Sequence, residues 1–183
     1  MMLPYTATLL DIINPQAIAD YEHAFYRTFS RVTDNQLIRS LWAWDLTAER
    51  LAARIEYAHQ RVYVGRDVQG VIEMAIAVNT ELEAYQSSAF GFPMPNPKQG
   101  CCEFLTFFTV GNHSLKHKLH FWEGCFKDLS ESGYHTGYAS SAARLLPVYR
   151  RIGGKVLAEC TVEGERRYHW QFSLTRHWMK ARD

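Results

Sequence analysis

Apolar residues recur every three or four positions from Pro15 to Phe29, with Ile18, Tyr21, Phe25 and Phe29 on one side. That spacing predicts an amphipathic helix. Ahead of it, Thr6 to Ile13 reads as a short strand. In LWAWDLTAERLAARIEYAHQ, Asp45 or Thr47 is placed to cap a second helix. Its body would start at Glu49 or Arg50, with Leu51, Ile55 and Tyr57 to Ala58 as the apolar side. The pattern then changes. RVYVGRD and GVIEMAIAVNT are β-branched runs joined by Asp67-Val68-Gln69-Gly70, which predicts a hairpin. From Ala89 to Gly100 the chain holds Pro93, Pro95, Pro97 and two glycines and reads as a loop.

CCEFLTFFTV is the strongest strand signal, ended by Gly111-Asn112. A helix is expected from about His113 to Ser132, with Leu115, Leu119, Trp122, Phe126 and Leu129 as its stripe and Gly133 as its stop. YHTGYASS reads as a short strand and ARLLPVYRRI as a short helix with Pro147 in its first turn. KVLAECTVEGERRYHWQFSL closes the chain as two strands around Glu163-Gly164. No internal repeat interrupts this order. Strand, helix, strand, helix and strand, with hairpins at both ends, predict a mixed α/β fold: a mixed central sheet with helices on both faces. The length of 183 residues fits a single domain spanning 1–183.

Composition narrows the function classes. The formal net charge is +1, so the basic surplus of a nucleic-acid binder is missing. Aromatic residues make up 14% of the chain, enough to fill a core and also line an apolar pocket. Trp42, Trp44, Phe90 and Phe92 fit either use. The four cysteines form no C-x-x-C pair, which argues against a zinc knuckle or thioredoxin-type site. Cys101 and Cys102 are adjacent on a strand and point to opposite faces, so at most one can line a pocket. MMLPYTATLLDIINPQ lacks a basic n-region and a small-residue cleavage site, and no apolar run reaches the roughly 18 residues of a membrane span. The expected setting is a reducing cytoplasm with free thiols. His113, His117 and His120 share one helix face at a spacing that suits a metal, but no carboxylate or cysteine joins them. A solvated polar face is the favoured reading, and no metal is expected.

One stretch carries more than local structure. In GYASSAARLLPVYRRIGGKVLAE, Tyr149 lies one turn before Gly153, and a β-type run follows at once. Tyr149-Arg-Arg-Ile-Gly153, with the order of elements around it, resembles the GCN5-related N-acetyltransferase superfamily. The likeness spans roughly Arg61 to Leu174, and the Leu-Pro-Val-Tyr-Arg-Arg-Ile-Gly stretch looks most like the long-chain N-acyl amino acid synthases and related users of acyl-carrier protein. The resemblance implies an acyltransferase that moves an acyl group from a coenzyme A or acyl-carrier-protein thioester to an amine acceptor. The amine would attack directly, with no covalent enzyme intermediate.

The resemblance also implies roles. Tyr149 would protonate the leaving thiolate, a step open to a phenol held within hydrogen-bond reach. Glu103, on the strong strand, would take the proton of the acceptor amine, since a buried carboxylate gains basicity. Glu73 is the other candidate base. Val110, Gly111, Asn112, His113, Ser114, Leu115 and Lys116 occupy the place of the pyrophosphate-binding loop, where free N–H groups of a helix start receive phosphate. The family pattern there is Gln or Arg, two residues, Gly, any residue, then Gly or Ala; this chain has one early glycine. Gly154 stands where the family has an aromatic residue. Beside the enzyme reading stand a binding module on the same fold that has lost catalysis and an interaction subunit; a homodimer is left open.

Overall fold

In a computed structural model, the residues described are 5–31, 36–96 and 99–175. Pro97, expected in the proline-rich loop, lies outside them. The strands and helices, in chain order, are β1 (Thr8–Leu9), α1 (Pro15–Phe29), α2 (Gln36–Ser40), β2 (Trp42–Asp45), β3 (Arg50–Ala53), β4 (Gln60–Arg66), β5 (Ile72–Asn79), β6 (Cys101–Thr109), α3 (Leu115–Glu131), β7 (Thr136–Ala142), α4 (Leu146–Arg151), β8 (Lys155–Val162) and β9 (Glu165–Ser173). The chain divides into two compact units: Met1–Val78 with Thr106–Cys125, and Asn79–Leu105 with Phe126–Asp183.

In the first unit the strands neighbour one another in the order β1-β4-β5-β6. α1 runs over the residues its spacing predicts. Asn14 caps it by accepting from the N–H groups of Gln16 and Ala17, and Pro15 sits in the first turn, where no N–H is needed. Its apolar side buries Tyr21 and Phe25, and Phe25 stacks on Phe108 at 5.2 Å. The β4–β5 turn is closed by Asp67, whose Oδ1 accepts from the N–H groups of Gln69 and Val71. β1 is shorter than expected, two residues paired antiparallel with Tyr63 and Val64.

The helix expected after Asp45 is a β-hairpin instead. Trp42–Asp45 pairs with Arg50–Ala53 in register, Trp42 opposite Ala53 and Asp45 opposite Arg50. Asp45 does cap backbone N–H groups, those of Thr47 and Ala48, but as a turn residue. Glu49 then takes φ of 52°, the left-handed region, which reverses the chain where a helix would continue it. Leu51 and Ala53 are buried while Arg50 is exposed, so the period of burial is two.

In the second unit the order is β6-β7-β9-β8. β6 and β7 are parallel, and their pairing runs from Cys101↔Thr136 to Phe104↔Ala139. The neighbouring strands of the second-unit pairs, β7–β9 and β8–β9, are antiparallel. The β8–β9 turn is Glu163-Gly164 with φ of 49° and 79°, and two positive φ values are what a tight hairpin turn requires. The fold is thus mixed α/β, a sheet of parallel and antiparallel strands flanked by helices, as the order of elements predicts.

α3 keeps close to its predicted length, but its buried stripe is Phe121, Trp122, Cys125, Phe126 and Leu129, and Leu115 is 37% exposed. The helix therefore buries its apolar side only after its first turn.

Candidate active site

Tyr149 lies on α4, buried, with its ring 5.4 Å from Trp170 and 5.7 Å from Phe172. Burial pushes its pKa up to about 12, against the opposing pull of the Arg167 charge. The phenol therefore stays protonated through the neutral range, which is the form an acid must have. Arg167 is itself buried. Its guanidinium lies over the Phe90 ring at 4.3 Å, and Nη1 donates to Glu165 at 3.1 Å. Its Nε is buried with no hydrogen-bond partner among the described residues.

The two glycines after α4 do different work. Gly153 takes φ of 87° and donates to the Arg150 carbonyl at 3.0 Å, which ends the helix. Gly154 donates to the Tyr149 carbonyl at 2.9 Å. A Cβ at Gly154 would lie 2.7 Å from Phe172, 2.8 Å from the Tyr149 carbonyl oxygen and 2.9 Å from Trp170. No side chain fits, so glycine here is set by the tyrosine's own packing. Gly154→Ala should lower stability by about 1–3 kcal/mol, the range for overfilling a packed site. Urea unfolding measures this, and an unchanged midpoint would mean that the neighbouring rings yield freely.

Glu103 is fully buried on β6. Oε1 accepts from the N–H and the hydroxyl of Ser87, both at 2.7 Å. Oε2 accepts from the Gln86 N–H at 2.9 Å and from Asn79 Nδ2 at 3.3 Å. The free N–H groups come from the start of a short 3₁₀ turn, Gln86–Phe90, which begins ahead of the Ala89–Gly100 stretch that the sequence marks as a loop. Burial raises the pKa of Glu103 and these four donors lower it; the net direction is up. Four donors fill the four lone-pair positions of a carboxylate, so a proton can reach Glu103 only through one of them. The Ser87 hydroxyl is suited to this, since its own oxygen can accept while its hydrogen donates to Oε1.

The same stretch supplies a second pair that the sequence does not signal. Tyr85 Oη lies 2.6 Å from Nε2 of His169 on β9. The imidazole stacks on Phe92 at 4.9 Å and on Tyr138 at 5.9 Å. His169 is buried, and burial lowers its basicity. Glu103, with Gln86, Ser87 and Asn79, and the Tyr85–His169 pair thus belong to one unit.

This gives a pH dependence with a defined sign. Below about pH 6.5 the unfolded chain takes a proton on His169 that the folded chain resists, so stability should fall as pH drops through that value. Glu103 acts the other way, because its raised value lets the folded chain hold a proton above 4.5 that the unfolded chain has released. The difference between wild-type and His169→Gln stability, measured from pH 5 to 8, isolates the histidine. A flat difference would show that His169 titrates alike in both states.

The loop from Val110 to Lys116 belongs to the first unit. The Val110 N–H already donates to the Glu73 carbonyl at 2.8 Å, so it is not available to a ligand. His113 Nε2 lies 3.0 Å from the Glu73 carboxylate and 2.9 Å from the Val110 carbonyl. Both are acceptors, so Nε2 carries the hydrogen. Ser114 caps α3: its hydroxyl accepts from the His117 N–H at 3.3 Å, and its carbonyl accepts from Lys118. Gly111 takes φ of 86° with nothing within 4 Å of a Cβ position, and Asn112, Leu115 and Lys116 are exposed. His120 is 3.9 Å from Glu123. Among the described residues no group of three or more His, Cys, Asp or Glu side chains is arranged to hold a metal, and no helix is long and apolar enough to cross a membrane. The four aromatic candidates separate: Trp42 packs with Phe25 and Phe29 in the first unit, with Trp44 beside it, while Phe90 and Phe92 meet Arg167 and His169 in the second.

This arrangement of sheet and helices recurs among solved acyl-homoserine lactone synthases. No family model and no curated protein matches the chain. Solved structures do. A CoA-dependent acyl-homoserine lactone synthase, BjaI, with SAM and isopentyl-CoA, superposes with a TM-score of 0.71 at 9% identity, covering 96% of this chain and 87% of that one. TofI, in a ternary complex with an inhibitor and MTA, gives 0.72 at 14%, covering 96% and 95%. The AHL synthase LasI gives 0.72 at 10%, covering 96% and 91%. At these identities the likeness establishes a shared fold over nearly the whole chain.

Proposed function

We propose that the protein transfers an acyl group from a thioester, on coenzyme A or an acyl-carrier protein, to an amine. The observation that carries this reading is Glu103, a wholly buried carboxylate with raised basicity on β6, in a fold shared with a CoA-dependent acyl-homoserine lactone synthase. In this reading the acceptor amine attacks the thioester carbonyl and loses its proton through the Ser87 hydroxyl to Glu103. The C–S bond breaks, and Tyr149 donates to the leaving thiolate while the Arg167 charge favours it. Donor phosphate is received at the start of α3, by the N–H groups following Gly111 and by Lys116.

A binding module on the same fold is the second reading. The Glu73 carboxylate beside the loop and the engaged Val110 N–H favour it, because both weaken an anion site. A melting experiment separates the two. A donor at about 100 times its dissociation constant adds about 2.7 kcal/mol, which is roughly 5–10 °C for a chain of this size. Coenzyme A, acyl-CoA or acyl-carrier protein should produce such a shift. Flat curves with all three would remove the thioester reading.

A further inference from the structure

The first unit carries a concavity that the acyl-transfer reading leaves unused. A cavity of about 430 Å³ is lined by α1, the β2–β3 turn and the β4–β5 turn. Three arginines face it: Arg27 of α1, Arg50 at the start of β3 and Arg66 at the end of β4. A single carboxylate, Asp20, joins them, while the whole chain nets only +1. Positive charge is therefore concentrated here.

The engagement of each cation matters. Arg66 Nη1 donates to the Gly70 carbonyl at 2.8 Å, which pins the guanidinium across the β4–β5 turn. Arg50 is 3.9 Å from Glu22, but Glu22 also accepts from the Tyr57 hydroxyl at 2.9 Å, so its charge is shared. The Arg27 side chain makes no hydrogen bond or ion pair among the described residues. Asp20 accepts from Gln16 at 2.8 Å on the same helix. A further feature marks the rim. His23 Nδ1 donates to the carbonyl of Glu49 at 3.1 Å, and Glu49 is one of two non-glycine residues with positive φ among those described. The β2–β3 turn is thus held in a costly conformation that fixes His23 over the cavity.

We propose that this cavity binds a small oxyanion, a carboxylate or phosphate group on a small molecule, between Arg27, Arg50 and Arg66. Planar guanidinium groups match such oxygens in pairs, and three cations lining a cavity with one carboxylate, Asp20, carry more positive charge than it offsets. Ala19, Ala24 and Ile72 give the cavity apolar surface for the body of the ligand, and its volume lies in the range of small-molecule sites.

Calorimetric titration of the full chain at low ionic strength, with inorganic phosphate and separately with malonate, tests this. One saturable site is expected. Arg27→Ala and Arg66→Gln should each weaken it by about tenfold or more, the scale of one charged hydrogen bond. Lys127→Ala removes an exposed charge on α3 and should bind as wild type does. Tighter phosphate would assign a phosphate group, and equal or tighter malonate a carboxylate. No saturable heat with either anion would overturn the proposal. So would Lys127→Ala losing as much affinity as Arg27→Ala, since the effect would then belong to overall charge.

Discussion

Glu103→Ala should lower stability by about 3 kcal/mol, or roughly 10 °C in melting temperature. The carboxylate satisfies four donors, two of them backbone N–H groups that no rotamer can redirect. Each buried donor left without a partner costs about 1–3 kcal/mol. Part of that loss is recovered, because the charge of Glu103 is itself costly to bury, which its raised pKa records. Glu103→Gln keeps the volume and one acceptor oxygen but turns an NH2 group toward donors, so its loss should fall between alanine and wild type. Ser87→Ala removes one donor and leaves the backbone pair intact, so its effect should be near 1 kcal/mol. Urea unfolding gives all three values. Glu103→Ala within 0.5 kcal/mol of wild type would mean that water replaces the carboxylate and that the site is not rigid.

Tyr149→Phe should lower turnover by about 10²-fold with little change in donor affinity. The size follows from proton affinities. A phenol pushed up to about 12 is a weaker acid than the thiol it would create, whose value is about 8.5, so complete proton transfer runs uphill. Tyr149 then acts mainly by hydrogen bonding to charge that develops in the transition state, which places its effect at the lower end of the range for a general acid. Because the phenol is closely packed against Trp170 and Phe172, the ring must be kept for the test to be fair. Single-turnover thiol release reads the effect. A variant with wild-type turnover would make Tyr149 a packing residue.

Most of the fold is legible in the sequence because its elements carry strong local signals. α1 shows a capped helix with one apolar side, and α4 shows Pro147 inside its start and Gly153 past its end. The β2–β3 hairpin is not legible. Leu51 and Ala53 fit a helix as well as a strand over so few residues, and the deciding event is the positive φ of Glu49, which no residue type announces. The candidate site is legible in part. Glu103 and Tyr149 stand out through the family resemblance, and Gly154 gains its reason only from rings at Trp170 and Phe172. Ser87, Tyr85, Arg167 and His169 carry no local signal. Tyr85 meets His169 across 84 positions and Ser87 meets Glu103 across 16, so only the folded chain brings them together.

Acyl transfer to an amine is read out by following thiol release and amide formation together. The chain is incubated with acyl-CoA or acyl-carrier-protein thioesters of graded length and a mixture of small amines, and products are weighed by mass spectrometry. Thiol release is expected to depend on the amine, to be matched mole for mole by an N-acyl product and to be lost in Glu103→Gln. Thiol release that stays at the rate of hydrolysis with every donor, with no amide formed, would contradict acyl transfer.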